Sequence, residues 1–211
     1  GFIKVFPSLA PKITEIANIL PETLIRGRAG SGSAPELQPG RLNLLSVGRF
    51  THAKNFDNIP DIARRLRDDH HAAPFHWYLI GYGSDEALIR RRIAETGTED
   101  CVTILGKRAN PYPYISGCDI YVQPSRYEGR CVTVREAQLL GKPVVIAAYP
   151  TAPSQVSDGK DGFILPSDNS GFAAGLASLA ASSDRLKTIA HKLSSADYSD
   201  RSEASKLVSL I

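Results

Sequence analysis

From Leu42 onward the chain alternates short apolar runs with segments whose apolar residues recur at helical spacing. Leu42–Val47, Phe75–Ile80, Cys101–Leu105, Asp119–Gln123, Pro143–Ala147 and Gly162–Leu165 are runs of four to six residues, the length and continuity of strands covered on both faces. Between them residues 57–68 carry Ile59, Ile62, Ala63 and Leu66 on one helical face. Residues 85–96 and 132–140 follow the same rule, and Phe172–Ala181, Arg185–Leu193 and Glu203–Leu210 extend it to the end of the chain. The segment before Leu42 is less regular. Residues 2–6 read as a strand closed by Pro7, and residues 12–20 as a helix through Ile13, Ile16, Ala17 and Leu20. The glycines and prolines of residues 26–40 predict an exposed linker. The stretch through Pro111 and Pro113 predicts a loop.

Strand–helix alternation repeated four times or more specifies an α/β class with right-handed crossovers, hence a doubly wound parallel sheet of Rossmann-like type. The predicted organisation is a strand–helix and linker region over 1–40 packed on the same body, the α/β domain over 41–195 and a helical tail over 196–211. In this architecture ligands sit beyond the carboxyl ends of the strands. The unusual residues gather there: Gly48 with Arg49, Gly81 with Gly83, Gly106 with Lys107, Pro124 to Glu128, and Tyr149 to Thr151 each follow a strand.

Composition narrows the class. With 42% hydrophobic and 22% charged residues in 211, the chain is globular rather than disordered or coiled-coil. No apolar run reaches a membrane span, and no leading stretch resembles a signal peptide. A net charge of +3 is too small to argue for nucleic acid but suits a local anion pocket. Cys101, Cys118 and Cys131 are odd in number and widely spaced, which fits a reducing, cytoplasmic compartment and no zinc ribbon. The chain begins at Gly1 and contains no Met, so it reads as a piece of a longer protein, with half of a catalytic site expected elsewhere.

Several motifs fail. Gly81-Tyr82-Gly83 opens like a dinucleotide fingerprint, but Glu86 stands where a third glycine would allow close helix packing. Gly141-Lys142-Pro143 is not a phosphate-binding P-loop, and Asp68-Asp69-His70-His71 reads as a solvated helix end rather than a metal site.

The informative stretch runs from Pro124 to Ala137. Glu128 lies in a loop after a strand, followed by Gly129, and Glu136 lies in the first turn of the next helix. Free amides around Arg130, Cys131, Val132 and Thr133 at that helix N-terminus make an anion site that needs no metal. Two readings of Glu136 stand at this point. Thr133-x-x-Glu136 is a capping box, in which Glu136 bonds backbone, or the carboxylate faces a ligand. Arg49, a planar fork, and Lys54, a point charge, add two cations beside the same cleft.

The ordered set Ser46-Val-Gly-Arg49 with Lys54, Leu79 to Gly83, Leu105-Gly106, Asn110 to Tyr114, Asp119 to Ser125, Glu128-Gly129, Glu136-Ala137, Gly141 to Val145 and Asp158 to Gly162 resembles the C-terminal, donor-binding domain of family 4 (group 1) retaining glycosyltransferases of GT-B fold. The Asn-Pro-Tyr-Pro-Tyr stretch further resembles enzymes of capsule, O-antigen and exopolysaccharide assembly.

The resemblance implies a UDP- or GDP-sugar donor, no cofactor, no metal and a missing N-terminal acceptor domain. It implies that Arg49 and Lys54 hold the diphosphate, Glu128 the transferred sugar and Glu136 the ribose. The amides around Arg130–Thr133 would cap the phosphates, and the Gly106, Lys107, Arg108 loop would border the base, with Gly48, Gly81 and Gly83 in the donor loops. Tyr112 and Tyr114 are read as packing beneath the cleft. Arg130-Cys131 and Gln155 depart from the family pattern of Phe-Pro and Glu, which leaves the donor open. A non-catalytic nucleotide-sugar module and an epimerase or phosphorylase of the same architecture are the alternatives, and membrane association of the parent enzyme stays open.

Overall fold

The structure, a computed structural model, describes residues 5–14, 16, 18–196, 198 and 203–209. Its centre is a six-stranded, all-parallel sheet in the order β3-β2-β1-β4-β5-β6. After helix α1 (Glu22–Gly30), the chain enters β1 (Leu42–Val47), α2 (Ile59–Asp68), β2 (Phe75–Ile80) and α3 (Glu86–Thr96). It continues through β3 (Val102–Gly106), α4 (Tyr112–Gly117), β4 (Ile120–Gln123), α5 (Val132–Leu139), β5 (Val144–Ala147) and β6 (Phe163–Leu165). Helices α6 (Asn169–Ala180), α7 (Ser183–Ser194) and α8 (Glu203–Val208) follow. The doubly wound α/β architecture is therefore the one the hydrophobic pattern specifies.

The strands form where the sequence is apolar on both faces: all six residues of β2 and all four of β4 and β5 are buried. Helix α2 turns Ile59, Ile62, Ala63 and Leu66 into the core, with Pro60 in its first turn, where a missing N–H costs nothing. A buried polar chain ties the middle strands. Trp77 Nε1 donates to Ser46 Oγ at 2.9 Å, and Ser46 Oγ donates to Val122 O at 2.6 Å. The buried Trp77 and Ser46 side chains are thereby partnered, as the interior demands.

Strand order reverses between β1 and β4. To one side the chain winds to β2 and β3, to the other to β5 and β6. Strands β1 and β4 pair at only two register positions, Leu44 with Ile120 and Leu45 with Tyr121, against six positions between β1 and β2. The loops leaving β1 and β4 therefore depart to opposite faces, and a crevice forms between them at the carboxyl end.

The N-terminal region differs from expectation. Of the strand expected over 2–6, residues 2–4 lie outside the described residues, and Val5 and Phe6 join no sheet. The helix expected over 12–20 is replaced by a 3₁₀ turn at Pro7–Lys12, and the described residues of 13–20 hold no regular element. Pro7 and Pro11 fix φ and remove two donors, which favours a short tight turn over an α-helix.

Residues 26–30, expected as linker, instead finish α1. Glu22 and Arg26 pair across one turn at 2.8 Å, and Ile25 is fully buried. Burial of that face outweighs the roughly 1 kcal/mol that each interior glycine costs. Helix α4 was likewise expected as a loop. Its prolines lie at the N-cap (Pro111) and in the first turn (Pro113), the positions at which proline starts a helix rather than breaking one.

Candidate functional site

The loop after β1 is built on backbone-to-backbone contact. A Cβ at Gly81 would lie 1.9 Å from Gly48 O, and one at Gly83 would lie 2.3 Å from Phe50 O. Phe50 N donates to Tyr82 O at 2.9 Å, and Asp85 N to Phe50 O at 3.1 Å. Only glycine permits this approach. Gly81 and Gly83 thus hold the Gly48–Phe50 segment, and the exposed Arg49 projects from a fixed base.

The same loop is pinned to the one after β4. Asn55, at φ 61°, donates through Nδ2 to Pro124 O at 2.8 Å. Arg126 N donates to Ala53 O at 2.9 Å, and its guanidinium forks onto Asp57 at 2.8 and 2.9 Å. Burial opposes ionisation of Asp57, but the Arg126 bonds and charge hold its carboxyl below the ordinary value.

Between these two loops stands the central pair. Lys54 Nζ lies 2.5 Å from Glu128 Oε1, with side chains 20% and 11% exposed. Glu128 also accepts from Ser125 Oγ at 2.7 Å, and Ser125 Oγ in turn accepts from Gln123 Nε2 at 2.9 Å. Cys131 Sγ lies 3.6 Å from the same ammonium. Burial disfavours the charged form of Lys54, yet Cys131 and Glu128 outweigh it and push its pKa up. The sequence alone assigns Lys54 and Glu128 to separate parts of a donor; in the structure each is the other's partner.

Helix α5 opens at this point. Cys131 is its N-cap residue, and the Gln155 side chain clamps the backbone of that residue, accepting from Cys131 N at 3.1 Å and donating to Cys131 O. The Cys131 amide is therefore occupied, and the helix-terminal amides that remain for an anion are those of Val132 and Thr133. Thr133 Oγ1 accepts from the buried Tyr121 hydroxyl at 2.7 Å. Gly129 and Arg130 are exposed at the rim, and a Cβ at Gly129 would meet open space.

The capping-box reading of Glu136 fails on geometry. The helix begins at Val132, so Thr133 lies inside it, and Glu136 Oε1 instead accepts from Tyr112 Oη at 2.9 Å. Burial raises the Glu136 pKa and the tyrosine bond opposes that rise. Tyr112 was read as packing only; that a hydroxyl two residues past Asn110 would reach a carboxylate 24 residues later has no signature in local sequence.

The loop after β3 divides its charges. Lys107 stacks its ammonium 5.1 Å from the Tyr82 ring centroid, beside the β1 loop. Arg108 pairs with Glu36 at 2.6 Å, and Glu36 also accepts from Tyr114 Oη at 2.6 Å. Arg108 thus fastens the segment before β1 to the domain. Gly106 lies at φ 72° where β3 ends, its carbonyl accepting from Gly81 N at 3.0 Å. Asp68 and Asp69, read from the sequence as solvated, pair with neighbouring arginines.

Residues 33–194 match the family model described as glycosyl transferases group 1. The chain is 30% identical over 133 residues to the amylovoran biosynthesis glycosyltransferase AmsK of Erwinia amylovora, covering 59% of this chain and 32% of AmsK. It is 27% identical over 124 residues to the poly(ribitol-phosphate) alpha-N-acetylglucosaminyltransferase of Staphylococcus aureus, covering 58% of this chain and 25% of that enzyme. The chain thus spans about a third or less of these relatives.

Among solved structures, a mutant of S. aureus TarM in complex with fondaparinux, alpha-GlcNAc-glycerol and UDP superposes with a TM-score of 0.78 at 20% identity, over 94% of this chain and 39% of that one. Anabaena HepE in complex with UDP and glucose gives 0.71 at 20% identity, over 90% and 52%. The C-terminal domain of the group 1 protein LpcC from Francisella tularensis gives 0.64 at 19% identity, over 74% and 83%.

Proposed function

The chain belongs to the group 1 glycosyltransferases, and on that premise we propose that it is the donor-binding half of a retaining, metal-independent enzyme using a UDP-sugar in surface polysaccharide or glycoconjugate assembly in the cytoplasm. The observation that carries the proposal is the Lys54–Glu128 pair, held at the β1/β4 crevice directly beside the N-terminus of α5.

Each group has a task in this reading. The diphosphate takes the Lys54 ammonium, the exposed Arg49 fork and the Val132 and Thr133 amides. Once the donor has displaced Glu128 from Lys54, these groups already face the diphosphate, so charge developing on the leaving group meets positive partners. The diphosphate competes with Glu128 for Lys54, and Glu128, kept in place by Ser125, is turned toward the transferred sugar as a hydrogen-bond acceptor. It is not assigned as a covalent nucleophile. Glu136 receives the ribose diol. Solved relatives of this fold, TarM, GtfA and HepE, were captured with UDP, which favours uridine over guanosine here. The acceptor site belongs to a companion domain, as the partial coverage of relatives suggests.

Saturation-transfer NMR and calorimetry of this chain with UDP, GDP and their sugars test the reading. UDP is expected to bind without added divalent metal and more tightly than GDP. Arg49→Ala should weaken UDP binding about tenfold or more, since one charged hydrogen bond is worth roughly 1.5–3 kcal/mol. Glu136→Ala should weaken it similarly. No binding of either nucleotide would refute the proposal.

A further inference from the structure

Helix α4 begins on Tyr112, at the carboxyl end of the sheet just past the β3 loop, and reaches across to α5 through a hydrogen bond from Tyr112 Oη to Glu136 Oε1 at 2.9 Å. Among the described residues Glu136 has no ion pair and no second side-chain hydrogen bond, so none of them claims its other oxygen, Oε2. Resting on the donor-site reading above, we infer that Tyr112 is a positioning residue for nucleotide recognition: its hydroxyl fixes one carboxylate oxygen of Glu136 and aims the other at the ribose diol.

Two observations and one geometric argument support the assignment. The tyrosine ring is itself immobilised. It packs on the apolar cluster of Leu20, Ile25 and Leu139 that joins α1 to α5, and the Arg28 guanidinium of α1 lies 5.6 Å from its centroid. The phenol keeps its proton: burial and the neighbouring Glu136 push its pKa up to about 12, so it donates and the carboxylate accepts. Finally, a carboxylate on a helix has a free terminal torsion, and a partly buried one with a single acceptor task has no other group to set its plane. A bond to one oxygen from an immobilised donor supplies that orientation, and orientation is what a two-point grip on a vicinal diol requires.

The inference separates from mere packing through the ligand. Calorimetry would compare UDP with 2′-deoxy-UDP on the wild type and on Tyr112→Phe. Phenylalanine keeps the ring on Leu20, Ile25 and Leu139 and removes only the hydroxyl, and thermal unfolding verifies that the variant is folded. The wild type should favour UDP over the deoxynucleotide. In Y112F the UDP affinity should fall about fivefold or more while 2′-deoxy-UDP changes less than twofold, so that the preference collapses.

Equal weakening of both nucleotides would reduce Tyr112 to packing and overturn the inference. An unchanged preference would overturn it as well, and so would a stronger grip on UDP, which would show that the tyrosine competes with the ribose. In each of those cases UDP binding by the wild type leaves the donor-site reading standing. A wild type that binds no nucleotide overturns both.

Discussion

At the residue scale the decisive feature is that Lys54 and Glu128, 74 positions apart, are joined in one ion pair. Both are largely desolvated, and removing one partner strands the other. Glu128→Gln should therefore lower stability by about 1–2 kcal/mol, a Tm drop of roughly 2–8 °C for a chain of this size. The same change should narrow the difference in affinity between UDP and UDP-sugar, because it turns one acceptor oxygen into a donor and removes the charge that strengthens hydrogen bonds from sugar hydroxyls. Unfolding curves and titrations on one variant check both. Arg49, Lys54, Glu128 and Glu136 were legible because each follows a strand end in an α/β pattern. Their mutual contacts were not, since a pairing across 74 residues leaves no local trace. Tyr112 and the Gln155 clamp on Cys131 escaped for the same reason.

At the element scale, α5 and the loops after β1 and β4 form one braced unit. Gln155 fixes the α5 N-cap, and the Arg126–Asp57 fork joins the two loops. The brace carries a pH signature. Asp57 has a folded pKa below its unfolded value of about 3.8, so its contribution is fully present above that value and is lost as pH falls through the folded pKa. Asp57→Asn removes that contribution. The variant should be less stable than wild type at pH 7, with a gap that narrows as pH falls below about 4, measured by urea unfolding over pH 3 to 7. A gap that stays constant would mean the fork contributes nothing through ionisation. Gln155→Ala should cost about 1–3 kcal/mol, since it leaves a buried amide and carbonyl of Cys131 without partners. The strands and most helices were readable from period alone. Helices α1 and α4 were not, because their glycines and prolines carry the same letters as a linker, and only burial of Ile25 and Tyr114 against the domain separates the two outcomes.

At the scale of the whole molecule, the candidate site is a wall rather than an enclosure. Lys54, Glu128, Arg49 and the α5 terminus line the carboxyl end of the sheet, whereas a hollow of about 280 Å³, bordered by Leu42, Cys118 and Lys142, opens at its amino end. Glycosyl transfer needs water kept from the anomeric carbon and an acceptor hydroxyl held within a few ångströms of it. Neither requirement is met by one wall. This chain is therefore expected to bind UDP-sugar yet transfer nothing above the rate of spontaneous hydrolysis, as followed by UDP release with a sugar or lipid-linked acceptor. Joining it to the remaining length of a relative such as AmsK, of which it matches 32%, should restore transfer, and Arg49→Ala in that longer enzyme should lower kcat rather than KM alone, since its charge matters most when the diphosphate leaves. Turnover by the 211-residue chain itself would show that the wall is sufficient and that the companion domain is dispensable for the chemistry.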